Sequence, residues 1–211
     1  MRFKKPLYYV LAAVLAVLIG LGIGYWTFGR QREVTDSGAL VLHPPKPLPA
    51  FGLEADTRSP FTLASLHGHW SFLYFGYTHC PDVCPTTLAD LGKMSIQLAD
   101  LPAASRPTVY FISVDPKRDT PGVLARYLRY FNADFVGVSG APDQLQLLTH
   151  ALGVSFSYDP PDQSDNYSVE HSSVVFLINP EAEEAAVFTS PIVPLRMADD
   201  YRIILTQHGD R

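Results

Sequence analysis

The chain has 211 residues, a formal net charge of −5, and a composition that is 47% hydrophobic and 18% charged. At roughly 150 residues per domain, this length allows one domain with an appendage. The composition excludes bulk disorder and collagen-like repetition, the two cysteines are too few for a disulfide-dense mini-protein, and the acidic balance gives no reason to expect nucleic-acid binding.

The charge is unevenly distributed along the chain. The first 32 residues carry +5 and contain no acidic residue, whereas the remaining residues carry −10. Between Lys5 and Arg30 lies an uncharged, apolar stretch, residues 7–29. As a helix this stretch would span roughly 34 Å, enough for a bilayer core of roughly 30 Å. It predicts a single N-terminal transmembrane helix within an anchor of residues 1–29.

A cleaved signal peptide is the alternative interpretation of this apolar stretch. Its apolar region would be shorter, and small residues would occupy the cleavage zone, where this chain has Tyr25, Trp26 and Phe28. Three basic residues precede the stretch and two follow it, which favours a cytoplasmic N-terminus. The acidic body would then lie across the membrane. Because no arginine-rich presequence stands before the apolar stretch, we expect a bacterial inner-membrane protein with a periplasmic domain. The alternative is the mitochondrial inner membrane, with the domain facing the intermembrane space.

A proline-rich segment follows the anchor. Four prolines occur within the seven residues 43–49, so residues 30–50 are predicted to form a semi-rigid spacer. The globular domain is then predicted to cover residues 51–211, a length that can bury one sizeable core.

The hydrophobic pattern of this domain alternates between strand-like and helix-like segments. The stretch 70–77 is continuously apolar and aromatic, which is typical of a central strand that is buried on both faces. The predicted elements, in chain order, are strands 61–66 and 70–77, helix 85–98, strand 108–114, helix 121–131, strand 135–138, helix 142–152, strand 169–178, its hairpin partner 185–188, and helix 197–207. This order indicates an α/β layered sheet of the thioredoxin-like class with an insertion.

The only two cysteines, Cys80 and Cys84, lie directly after the first central strand. Ligands in open α/β sheets bind at the carboxyl ends of the strands. Because a residue before proline is pushed away from helical geometry, we expect both thiols on a loop that feeds a helix beginning at Pro85. The helix N-terminus would favour thiolate. Three interpretations stay open at this point: structural cysteines, a redox dithiol, or a soft-metal site.

A third ligand for a soft metal would usually be an imidazole. His171 stands just before the apolar stretch 174–178, at the mouth of a predicted central strand, where its side chain could face the cysteines. The other histidines show no such placement; they are His43, His67, His69, His79, His150 and His208.

Three segments carry a resemblance to a known family. YTHCPDVCP at 77–85, ISVDPKRDTP at 112–121 and EHS at 170–172 closely resemble the Sco/SenC family, in the same order along the chain. The resemblance implies a thioredoxin-like domain that binds copper, as Cu(I), Cu(II) or both, through Cys80, Cys84 and His171. The family usually has Asp and Thr around the ligand histidine, where this chain has Glu170 and Ser172.

The resemblance also implies a function, that of a metallochaperone, and it leaves open whether the chain has thiol–disulfide reductase activity as an enzyme. The expected partner is the copper-bearing subunit of cytochrome c oxidase, with other copper chaperones or thioredoxin-like reductants as further partners. The alternatives are a thiol–disulfide oxidoreductase that reduces the cysteines of the target copper site, and a copper or redox sensor. The sequence leaves open the recipient, the preferred oxidation state of copper and the oligomeric state.

The motif at 115–121 has an interpretation of its own. Asp119 or Thr120 could cap the helix that begins at Pro121, and Asp115 could orient the cysteine loop. We expect a structural role for this motif; the individual roles of Asp115, Asp119 and Glu170 stay open.

Overall fold

The computed structural model describes residues 4–28, 32–34, 39–160 and 167–209, and it gives side chains for 9–21, 39–160 and 167–209. The first helix, α1, covers Lys4–Phe28. Among the residues so described, none of the helices has both the length and the apolar character that a membrane span needs. The N-terminal anchor therefore stays a prediction.

The described strands form one large mixed sheet and one small antiparallel pair. Their bounds are Arg32–Val34 (β1), Leu40–Pro47 (β2), Gly52–Ala55 (β3), Pro60–Thr62 (β4), Ser71–Gly76 (β5), Thr108–Ser113 (β6), Val136–Ser139 (β7), Phe156–Tyr158 (β8), Val169–His171 (β9), Val174–Ile178 (β10) and Glu183–Thr189 (β11). Within the described residues the large sheet has the order β1-β2-β11-β10-β5-β6-β7-β3-β4, and β8 pairs with β9. Strand β5 pairs in parallel with β6 and antiparallel with β10. It is therefore a central strand, and its carboxyl end has a strand on either side.

Helices cover both faces of this sheet. Their bounds are Val83–Gln97 (α2), Pro121–Leu128 (α3), Pro142–Leu152 (α4) and Pro194–Gly209 (α5), and two 3₁₀ turns cover Leu63–Leu66 and Ala103–Ser105. Helices α2, α3 and α5 pack on one face, whereas α4 packs on the other. Every residue of β5 is buried, as the continuous apolar stretch predicted. The predicted α/β thioredoxin-like class is confirmed.

Several element boundaries differ from the prediction. The predicted strand 61–66 ends after Thr62 and continues as a 3₁₀ turn, and the predicted strand 169–178 is divided into β9 and β10. Helix α4 has the predicted bounds and is capped by Gly153, whose φ of 70° is the left-handed conformation that glycine adopts without strain.

The proline-rich segment is also different, because residues 40–47 of the predicted spacer form β2, which pairs with β11. Strand β1 pairs only with residues 40–42, so among the described strands the rest of β2 has one neighbour. Prolines are tolerated on such an edge because no neighbouring strand there needs a hydrogen bond from the N–H that proline lacks. The division into an anchor at 1–29 and a domain at 51–211 stays a prediction.

Candidate metal centre

The two cysteines occupy the junction between β5 and α2. Cys80 lies in the turn after β5, and its N–H donates to the carbonyl of Tyr77 at 3.2 Å. The expectation that Cys84 precedes the helix is wrong, because α2 begins at Val83 and Cys84 lies in its first turn. Pro85 then stands at the third helical position, where the missing N–H would have no partner within the helix in any case.

His171 lies beside the two cysteines although it comes from a distant part of the sequence. It is the last residue of β9, which pairs with β8 through the partners His171 and Phe156. Its ring stands perpendicular to that of Tyr77, with 5.9 Å between the ring centroids. The strand and the aromatic contact together hold the imidazole over the junction of β5 and α2.

The structure brings the three predicted ligand residues together. Cys84 Sγ lies 3.2 Å from His171 Nε2, and the Cys84 N–H donates to Cys80 Sγ at 3.4 Å. The ligand atoms of Cys80, Cys84 and His171 all lie within 4.8 Å of one another. Metal bonds to thiolate and imidazole are about 2.3 and 2.0 Å long, so a single ion can bridge donor atoms that are this close. Two soft sulfurs and one imidazole are donors that suit copper, and the group fits a copper site.

The imidazole is held in the tautomer that a metal needs. His171 Nδ1 lies 3.3 Å from the carbonyl oxygen of Ser172, which can only accept, so Nδ1 carries the proton. Burial lowers the pKa of His171, against a smaller opposing effect of the Ser172 carbonyl. The ring is therefore neutral at neutral pH and presents the lone pair of Nε2 toward Cys84.

The thiol of Cys84 is buried completely, whereas Cys80 is partly exposed. Burial raises the pKa of Cys84 well above the ordinary value for a thiol. The predicted favourable effect of the helix N-terminus is thus outweighed at this residue by the loss of solvent. A metal that binds here must displace a proton from Cys84, which makes binding depend on pH.

The other histidines do not join this group. In the parts of the chain that the structure describes, Cys80, Cys84 and His171 form the single group of three such residues close enough to hold a metal ion. His79 is half-exposed, and its Nδ1 lies 3.1 Å from the hydroxyl of Thr78. His208 instead contacts Glu181, with 3.2 Å between Nε2 and Oε2.

Asp119 does not cap helix α3. Its carboxylate accepts hydrogen bonds from the backbone N–H and the hydroxyl of Thr78, two residues before Cys80. Asp115 binds Arg118 and the hydroxyl of Tyr167, so it orients the segment before His171 rather than the cysteine loop.

Three residues of this arrangement were not predicted from the sequence: Thr78, Arg118 and Tyr167. The only signal for the first two is their place inside the motifs that carry the cysteines and the two aspartates.

The fold and the donor group define the class of protein: a thioredoxin-like domain with a Cys–Cys–His group that fits a copper site at the carboxyl end of its central strand. The sequence profile of the family described as SCO1/SenC matches residues 44–206. The chain therefore belongs to the SCO1/SenC family, and the resemblance read from its three motifs is confirmed.

Individual relatives agree with this assignment. A protein of Stutzerimonas stutzeri that is named for copper binding is 35% identical over 165 residues, which cover 77% of this chain and 79% of that protein. The mitochondrial SCO1 homologue of Homo sapiens is 34% identical over 154 residues, or 73% of this chain and 48% of that protein. The chain thus spans about half the length of this mitochondrial relative.

A solved structure shows the same fold. The crystal structure of Arabidopsis thaliana ScoI with copper bound superposes with a TM-score of 0.70 and 30% sequence identity, over 75% of this chain and 98% of that chain.

Proposed function

We propose that this chain is a membrane-anchored metallochaperone that binds one copper ion through Cys80, Cys84 and His171 and assists assembly of the copper site of cytochrome c oxidase. The observation that carries the proposal is a group of two thiols and one imidazole, whose donor atoms lie within 4.8 Å of one another. Membership of the SCO1/SenC family and the copper-bound relative support the choice of metal.

The solvent exposure of the three proposed ligands suits a protein that transfers its metal to a partner. Cys80 and His171 are both partly exposed, so a competing ligand from a partner can reach them. A closed cage of four buried ligands would hold a structural metal instead. The proposed recipient is the copper-bearing subunit of cytochrome c oxidase, and other copper chaperones or thioredoxin-like reductants would supply copper and electrons.

The proposed location follows from the N-terminal charge pattern. Residues 1–29 would form the anchor, with about 7–29 crossing the bacterial inner membrane, and residues 51–211 would form the copper-binding domain in the periplasm. The mitochondrial inner membrane, with the domain in the intermembrane space, is the alternative, and relatives that are named as mitochondrial SCO1 and SCO2 proteins support that organelle.

The test is metal analysis of the reduced full chain, purified in detergent, after separate exposure to Cu(I), Cu(II) and Zn(II). We expect one copper per chain, retained against a weak chelator, and transfer of that copper to the metal-free copper-bearing subunit. A chain that retains zinc but no copper, or that keeps its copper in the presence of the recipient, would contradict the proposal.

The same two thiols allow thiol–disulfide exchange as a second function. The partly exposed Cys80 would attack a substrate disulfide and release one thiol, and Cys84 would then attack the mixed disulfide and release the second. The two electrons come from the dithiol, which ends as a Cys80–Cys84 disulfide and needs an external thiol reductant to start again. Fast turnover on a disulfide substrate by the copper-free chain would favour this function. A sensor would instead need a signalling partner.

A further inference from the structure

The loop between β6 and α3 carries two buried carboxylates. Asp115 is 0% exposed and Asp119 is 1% exposed. Burying a carboxylate is costly unless its oxygens are paired or hydrogen-bonded. The hydrogen-bond partners of these two aspartates therefore identify the segments that the loop holds in place. One partner of each aspartate lies on a segment that leads directly to a proposed copper ligand.

Asp119 holds the segment that leads to Cys80. Its Oδ2 accepts the N–H of Thr78 at 3.0 Å, and its Oδ1 accepts the hydroxyl of Thr78 at 2.5 Å. The hydroxyl of Ser113, at the end of β6, donates to the same carboxylate at 2.6 Å and fixes its orientation. Through these three hydrogen bonds, Asp119 links the turn before Cys80 to the end of the neighbouring parallel strand β6.

Asp115 holds the segment that leads to His171. The hydroxyl of Tyr167, four residues before His171, donates to Asp115 Oδ1 at 2.7 Å. Arg118 Nε donates to the other oxygen of Asp115, and Arg118 Nη1 donates to the carbonyl of Tyr167 at 3.0 Å. The guanidinium carbon of Arg118 lies 3.6 Å from the centroid of the Tyr167 ring.

We propose that residues 115–119 form a positioning brace, which sets the spacing between the thiol side and the imidazole side of the copper site. Asp119 positions Cys80 through Thr78, and Asp115 positions His171 through Arg118 and Tyr167. These residues are outside the group of three that would hold the metal, and they act through the ligands. The inference rests on the proposed function, because it concerns the geometry of the same metal site.

Two conservative variants test the two halves of the brace. Tyr167→Phe removes one hydroxyl and keeps the ring that packs on Arg118, and Thr78→Val removes the hydroxyl and keeps the N–H bond to Asp119. Substitution of residues that orient metal ligands typically weakens metal affinity by about 10–100-fold. We expect each variant to bind Cu(I) about 10-fold more weakly in a chelator competition, with one copper per chain. Thr78→Ser, which keeps the hydroxyl, should bind like wild type.

Matched controls separate positioning from a general surface change. Tyr130 is 87% exposed, so Tyr130→Phe makes the same chemical change away from the brace. Thr206 donates only to a carbonyl within α5, so Thr206→Val is the control for Thr78→Val. Both controls should keep wild-type affinity, and urea unfolding of each metal-free variant reports any loss of stability.

A second set of variants assigns each half of the brace to its ligand. In a His171→Ala background, where the two thiolates still bind Cu(I), Tyr167→Phe should cause no further loss of affinity, whereas Thr78→Val should still cost about 10-fold. Equal losses in both backgrounds for Tyr167→Phe, or unchanged affinity in both brace variants, would overturn the inference. A wild-type chain that binds no copper would instead overturn the proposed function.

Discussion

Gly76 lies so close to Cys84 that a Cβ atom at position 76 would stand 2.7 Å from Cys84 Sγ. The same atom would stand 2.8 Å from a ring carbon of Phe111 on the neighbouring strand. Real Cβ atoms do not approach other atoms so closely, so the absence of a side chain at the end of β5 leaves the space that the thiol occupies. The glycine therefore belongs to the site although it offers no ligand atom.

Gly76→Ala should disturb both the core and the metal site. Overpacking of this kind costs about 1–3 kcal/mol of unfolding free energy, because neither the thiol nor the ring can move without displacing buried neighbours. We expect that loss in urea unfolding of the metal-free chain, together with weaker Cu(I) binding. In the control, Gly122→Ala, the nearest atom to the new Cβ is the end of the Arg126 side chain at 3.8 Å, and neither property should fall. Wild-type stability in Gly76→Ala would refute the steric argument.

His171→Ala should separate the two oxidation states of copper. Two thiolates alone are soft donors that bind Cu(I), whereas the imidazole helps to accommodate Cu(II). The variant should keep one Cu(I) per chain with lower affinity, and it should lose the sulfur-to-copper absorption of the Cu(II) form. His150→Ala, which changes an exposed histidine on α4, should leave both forms intact. An unchanged Cu(II) spectrum would remove His171 from the site.

The two cysteines should differ in their reaction with iodoacetamide. Alkylation requires thiolate, and burial raises the pKa of Cys84. The neutral thiol of Cys84 thus persists above the pH at which an ordinary cysteine ionises, and its labelling rate should keep increasing with pH there. Peptide mapping of the reduced, metal-free chain at several pH values should find Cys80 labelled first. Faster labelling of Cys84 would contradict the burial of this thiol.

Cys80→Ser and Cys84→Ser should lose copper equally but differ in stability. Cys80 is partly exposed, so its hydroxyl analogue should change the unfolding free energy of the metal-free chain by no more than about 0.5 kcal/mol. Cys84 lies in the core among Tyr74 and Leu88, and a buried hydroxyl there should cost about 1–3 kcal/mol. Metal analysis and urea unfolding check the two parts, and equal stabilities would show that the Cys84 side chain is hydrated.

The fold was predictable where one local signal dominated. The unbroken apolar stretch before the cysteines is β5, and the helix that is capped by Gly153 has the predicted bounds. The errors came from local rules that the tertiary structure overrides. Pro85 was expected to exclude Cys84 from the helix, but a proline in the first turn lacks only an N–H that has no helical partner. The prolines of β2 predict a spacer, but these residues form a strand, and among the described strands residues 43–47 have a neighbour on one side alone.

Residue types and positions nominated the members of the donor group and the family resemblance completed the set, whereas the residues that hold this group in place were not predicted. Two cysteines after a central strand and one histidine at the start of another leave few candidates for metal ligands. The contact between Thr78 and Asp119 joins residues 41 positions apart, and that between Tyr167 and Asp115 joins residues 52 positions apart. Neither has a local pattern, because such pairs are set by which strands become neighbours in the sheet.

The unequal exposure of the three ligands has a consequence for the order of events in the proposed copper transfer. Cys84 has no contact with solvent, while Cys80 and His171 both do. An acceptor ligand can therefore replace Cys80 or His171 while Cys84 still holds the metal. Copper would then leave through a mixed complex shared by both proteins, with the bond to Cys84 as the last to break.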